Sequence, residues 1–322
     1  VGKIVESLAA LSLFLLSGPA VIILNKHIMK DHHFHFPIVL SSLGQLLMLL
    51  ITRGSVALGL HELETKQMEW GRYLRVVLLM NVFNFGTQVL GMWSYMFVSV
   101  PEIQVLKSVT VVLTMIFAAI LVKEPVTALL AASVLVIASG SAVSAVFEND
   151  TTRISSAAGA QVIGVVICIL GSSLEAAKTV CSQILMDSLK VFDGLYWSSP
   201  AFMALTVICV AAIEAKDLVH HPFSGELVGL LVLNSVLTGL IVFSSFWFVK
   251  LVGALAVKVV TQARTVGIIL ISVFFFQESC SSMTYIGYAI SLVGIGMFDH
   301  VKQRQQEQKK KQEETPDKKT TS

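Results

Sequence analysis

Apolar residues in this chain come in blocks of about twenty, separated by short clusters of charge, glycine and proline; a helix of that length spans the roughly 30 Å of a bilayer's hydrocarbon. Ten blocks fit, near 7–29, 37–53, 74–97, 103–122, 126–147, 158–188, 192–214, 226–250, 254–276 and 281–299. The long sixth block leaves the hydrocarbon before Asp187, and segment 54–73, with Gly54, His61, Glu62, Glu64, Lys66 and Arg72, is the substantial internal loop. The pattern predicts an all-α membrane protein with ten transmembrane helices over residues 1–300, followed by a charged cytosolic tail over 301–322. An even number of crossings puts both termini on one side.

Composition agrees with the pattern. Of 322 residues, 55% are hydrophobic and 14% charged, against about 25% charged in an average soluble domain. The formal net charge of +2 hides a segregation of charge into loops and tail, where Lys302 to Ser322 carry seven Lys/Arg against four Asp/Glu. With the N-terminus inside, cytosolic segments collect Lys3, Arg53, Lys66, Arg72, Arg75, Lys123, Lys190, Lys250 and the tail cations, while the opposite side keeps Lys30, Arg153 and Lys216. That asymmetry predicts cytosolic termini. The same orientation places the sequon Asn149-Asp150-Thr151 on the far side, where glycosylation occurs. The first block reads as a retained span, and with Val1 in first place a targeting segment upstream is an expectation. Cys168, Cys181, Cys209 and Cys280 have no metal-like spacing and read as free thiols in apolar surroundings.

Charge inside the blocks changes the picture from architecture to chemistry. Lys26, Lys107, Lys178, Lys258 and Arg264 sit within or at the rim of spans, and Glu175 is the acid of comparable depth. A cation at the bilayer centre costs about 2.5–3.5 kcal/mol on insertion scales, so an excess of them predicts a cavity whose counter-charge arrives with an anionic ligand. Lys107 has no acid one turn away on its own helix. Arg264 lies between Gln262 and Thr265, and its planar fork suits phosphate. Lys258 is six positions earlier, about 240° round a helix, and either contacts ligand separately or snorkels to the interface. Glu175 and Lys178 are three residues apart, a spacing for an ion pair that an arriving anion would open. Asn25 and Lys26 end the first span, where snorkelling explains Lys26 as well as ligand contact does. Gln104, Gln88 and Tyr95 are neutral hydrogen-bonding candidates, and Tyr196 and Trp197 read as interfacial aromatics.

The chain also repeats itself. Leu121 to Val143 can be laid over Phe275 to Met297: both pass from an apolar span through a Glu-bearing turn into a span rich in small residues, with Lys107-Ser108 before Glu124 and Arg264-Thr265 before Glu278. Five blocks separate the copies, so the second runs opposite to the first, giving inverted five-helix halves of about 1–147 and 158–300. Small residues at Gly140, Ser141, Gly294 and Gly296 would let helices approach closely.

Several of these residues occur in an order that resembles a known family. Asn25-Lys26, Phe36-Pro37, Val98-Ser99-Val100 leading to Lys107, the Lys123-Glu124 turn, Lys178 with Gln183, Pro200, and the stretch from Leu255 through Arg264 to Glu278 are similar to the sugar-phosphate and nucleotide-sugar translocators of the drug/metabolite transporter superfamily. The resemblance covers nearly all the chain except the tail. It implies ten helices in two inverted halves and an antiporter of the Golgi, endoplasmic reticulum or plastid envelope, with Lys107, Arg264, Thr265, Lys178, Lys258, Lys26, Asn25, Gln104 and Gln262 as substrate-binding candidates. Two positions depart from the pattern. Plastid members carry a Lys-Arg pair where this chain has Arg264-Thr265, and many relatives have His where it has Gln45. Losing one cation favours a nucleotide-sugar or another organic anion over a small phosphorylated sugar.

Other classes find little support. There is no nucleophile elbow, zinc-protease helix or phosphate-binding glycine loop, and His27, His32, His33 and His35 match no closed zinc pattern. The expectations are therefore no enzyme activity, no cofactor, no metal and no nucleic acid; the partners are a small anionic solute and the bilayer, with a homodimer as a further option. A phosphorylated-sugar/phosphate exchanger and a proton-coupled exporter remain as alternatives.

Overall fold

The computed structural model describes residues 2–65, 67–97, 100–147, 158–264 and 282–313. Thr265, Glu278, Cys280, Lys66, Val98, Ser99 and the Asn149 sequon lie outside the described residues, as do the side chains of Lys26, Tyr95 and Gln104. Every described element is helical. In chain order these are α1 Gly2–Asp31, α2 Pro37–Ala57, α3 70–97, α4 100–122, α5 Ala128–Phe147, α6 Ala158–Met186, α7 191–218, α8 Gly225–Val252, α9 from 254 to the last described residue at 264, and α10 Ser282–Glu313. Among them, Pro37–Ala57, Trp70–Gly91, Val162–Met186, Val191–Leu218 and Gly225–Val252 are long and apolar enough to cross a membrane, and Ala9–Val21, Leu106–Val122 and Ala128–Val143 are shorter apolar stretches. Leu50, Leu135, Val162, Ile208 and Val293 are exposed while Thr114, Ser133, Asn234, Ser244 and Ser291 are fully buried, the distribution expected of a chain whose solvent is lipid. Residues 301–313, expected as the start of the charged tail, continue α10 for about three more turns.

Contacts divide the chain into two compact units, Val1–Val89 with Ala177–Val257 and Leu90–Ala176 with Lys258–Ser322. In the first unit α8 packs on α1 and α2, and α7 packs on α2 and α3. Phe34, Phe36, Leu40, Leu24, Ile28 and Leu227 form one apolar cluster there; Met48, Val77, Met80, Cys181, Leu185 and Phe246 form another. Helix α2 begins with Pro37, whose fixed φ suits the first helical position. The orphan N–H groups of Ile38 and Val39 donate to the Glu214 carboxylate of α7 at 2.8 and 3.0 Å. At the opposite end of α7, the fully buried Asp193 accepts the N–H groups of Glu64 and Thr65 at 3.1 and 3.3 Å and so pins the internal loop.

In the second unit α5 packs on α4 and α10. A Cβ on Gly140 would lie 2.5 Å from the Ser291 nitrogen and one on Gly294 2.8 Å from the Ile137 nitrogen, so both helices need glycine to approach this closely. Ser141 and Ser291 hydrogen-bond across that seam at 3.1 Å. Gly296, expected to share this role, has nothing within 4 Å of its Cβ position. The Lys123-Glu124 turn ends α4, with Lys123 in the left-handed region at φ 58° and Glu124 held by Lys302 of α10 at 3.2 Å.

Candidate functional site

Helix α4 sets Lys107 in an unusual position. Ile103, Thr110, Val111 and Thr114 line its buried face. At about 100° per residue, Lys107 falls in the middle of that arc. Its side chain is nevertheless exposed. The outward face carries Val109, Ile116 and Ile120, roughly opposite on the helix. Lys107 therefore opens onto space on the packed side of α4, away from the apolar outward side. Among the described residues no carboxylate lies within ion-pair reach of it. One turn on, the buried Thr110 hydroxyl has no hydrogen-bond partner. An ammonium and a hydroxyl on one face are donors awaiting an acceptor.

Helix α9 supplies the other cations. No described residue of 254–264 is exposed, and Lys258 and Arg264 are both partly buried. Lys258 meets Glu175 of α6 at 2.5 Å, with 11% of the lysine side chain exposed. Glu175 thus has a close partner on another helix, one that spacing along its own helix does not suggest. Gln262, one turn beyond Lys258, donates to the Ser141 hydroxyl at 2.7 Å, a contact between helices. Arg264 is partly buried and points from a different face, about 240° round from Lys258. The second unit thus contains Lys107, Glu175, Lys258, Gln262 and Arg264.

The first unit holds Asn25 and Lys178. Asn25 accepts from the buried Asn234 of α8 at 2.5 Å, and Lys178 donates to Asn84 of α3 at 3.0 Å. Sequence reasoning missed Asn84, although the spacing of Asn81, Asn84 and Gln88 puts three amides on one face of α3. These reach three different helices: Asn81 bonds Ser198 at 3.2 Å, Asn84 takes Lys178, and Gln88 accepts from Ser41 at 3.3 Å. Gln45, the departure from the family's histidine, accepts from Ser199 at 3.4 Å. Trp197, expected at the interface, packs against the Met48 cluster with its indole nitrogen buried, while Tyr196 lies under Arg53, 3.9 Å from guanidinium carbon to ring centre.

A helical chain with several helices long and apolar enough to cross a membrane, and with cations and amides on their packed faces, has the character of a polytopic membrane protein. Residues 8–299 match the Triose-phosphate Transporter family, and the chain belongs to that family of membrane transporters. It is 24% identical over 313 residues to a probable sugar phosphate/phosphate translocator of Arabidopsis thaliana, covering 91% of this chain and 77% of that protein. Solute carrier family 35 member E4 of Homo sapiens is 26% identical over 302 residues, covering 92% and 80%. UDP-uronic acid transporter 1 of Arabidopsis thaliana is 24% identical over 306 residues, covering 89% and 93%. A solved crystal structure superposes with a TM-score of 0.67 at 15% identity, covering 94% of this chain and 98% of that one, a likeness of fold.

Proposed function

We propose that this chain is a secondary-active antiporter that exchanges one organic anion for another by alternating access, with a nucleotide-sugar against a nucleoside monophosphate as the first reading. The observation that carries it is Lys107: a cation on the packed face of α4, open to solvent, without a carboxylate in ion-pair reach among the described residues. Arg264, partly buried on α9, supplies a planar fork for a second phosphate oxygen pair. An anion lowers the cost of keeping these charges at depth, so the loaded carrier rearranges more readily than the empty one. That difference makes exchange obligatory.

The inverted ten-helix arrangement fits this reading. Exchanging the two halves of the sequence maps the α2–α7 and α5–α10 packings onto themselves, and maps α2–α8 onto α7–α3, all of them observed pairs. Cytosolic termini follow from loop charge, with the Golgi or endoplasmic reticulum as the membrane and the plastid envelope as the third choice. The Arabidopsis thaliana relative named as a probable sugar phosphate/phosphate translocator favours a second reading, phosphorylated sugar against phosphate. Reconstitution in proteoliposomes loaded with nucleoside monophosphates or phosphate separates the two. Arg264→Ala should abolish uptake in a folded protein and Arg264→Lys should retain part of it; wild-type exchange in Arg264→Ala removes this residue from the site.

A further inference from the structure

We infer that Glu175 sets the charge selectivity of this carrier by serving as a built-in counter-anion to Lys258. The assignment presupposes the anion-carrier reading and goes beyond it, because sequence reasoning grouped Lys258 with the substrate cations. At 2.5 Å the Lys258 ammonium makes a charge-assisted hydrogen bond to Glu175, and its side chain is more enclosed than that of its partner, 11% against 30% exposed. The same face of α9 is engaged again one turn later, where Gln262 bonds Ser141 of α5, which is itself bonded to Ser291 of α10. This face belongs to the protein's own contacts. A solute anion would have to displace a carboxylate fixed beside Lys258 at very high local concentration. Glu175 thus offsets the charge of Lys258 and keeps it from adding to that of Arg264.

Glu175→Gln preserves side-chain size and removes the counter-charge. Lys258 and Arg264 are six residues apart, about 9 Å along the helix. One uncompensated unit charge at that distance, with an effective dielectric of about 20, favours a ligand one charge more negative by about twentyfold. The probes are inorganic phosphate and pyrophosphate without magnesium, tested as competitors of anion exchange by the reconstituted full chain. Glu175→Gln should shift the ratio of their inhibition constants toward pyrophosphate by about ten- to twentyfold, and adding Lys258→Met should return the ratio to the wild-type value. Lys258→Met alone, which removes the cation and keeps the carboxylate, should shift it the opposite way, and this comparison serves if Glu175→Gln does not fold. A folded Glu175→Gln or Lys258→Met protein with the wild-type ratio overturns the inference while leaving the carrier reading standing. A wild-type chain that exchanges neither nucleotide, sugar phosphate nor phosphate overturns the carrier reading and this inference with it.

Discussion

Lys107→Met tests the electrostatic reading most directly because activity and stability should move in different directions. The replacement keeps an unbranched side chain of similar length and removes the charge. Lys107 has no carboxylate in ion-pair reach among the described residues, so its removal orphans no acid there. Insertion scales put a central cation at about 2.5–3.5 kcal/mol, but the exposed ammonium keeps much of its hydration, so the gain on removal should be below about 1 kcal/mol. Binding should respond far more strongly. Losing one partner of a desolvated charge contact costs about 2–5 kcal/mol, or roughly thirty- to several-thousandfold in exchange at subsaturating substrate. Lys258→Met provides the contrast: it breaks the contact with Glu175, and a broken buried pair costs about 3–5 kcal/mol, discounted to roughly 1–3 because Glu175 is 30% exposed. The assays are thermal unfolding in detergent and anion exchange in proteoliposomes. A Lys107→Met protein that melts well below wild type while exchanging anions at full rate would refute the argument and make Lys107 a structural residue.

Two further outcomes probe the scaffold. Glu214→Gln should destabilise the first unit by about 1–3 kcal/mol, since the amide keeps one acceptor and loses the charge that faces the Ile38 and Val39 N–H groups; a thermal shift under about 2 °C would show that water caps α2 equally well. Gly140→Ala should cost about 1–3 kcal/mol because its Cβ would sit 2.5 Å from the Ser291 backbone, whereas Gly296→Ala, with open space around it, should melt with the wild type.

What was legible in the sequence follows from the kind of interaction that carries each feature. Helix positions were readable because lipid imposes one long apolar run per crossing, and Pro37 and Lys123 mark ends in ways local chemistry explains. The small-residue seam was readable at Gly140 and Gly294, since close approach demands that residue type, but Gly296 shows that small size alone does not place a residue in a seam. Pairing between distant helices was not readable. Intrahelical spacing suggested Lys178 for Glu175, whereas the contact with Lys258 joins residues 83 positions apart and depends on where α9 runs. Asn84 was overlooked for the same reason: its role depends on Lys178, 94 positions on. Continuation of α10 to Glu313 was hidden because a solvated helix and a solvated tail share one composition.

Depth in the membrane therefore does not by itself define a ligand-binding cation; its partners do. Lys258 has a carboxylate from another helix at 2.5 Å, and Lys178 has the Asn84 amide at 3.0 Å. Each of these ammonium groups can be accommodated by the protein alone, so each can serve as a joint between helices. Lys107 differs in kind: it is exposed on a face where its neighbours are buried, beside a threonine hydroxyl with no acceptor. A joint gains nothing from such openness, whereas a docking point for an anion requires it. The sorting has a consequence for selectivity. If Glu175 offsets Lys258 as inferred above, the charge a solute meets depends on a carboxylate on another helix, and replacing that acid changes the charge accepted without altering the cations themselves.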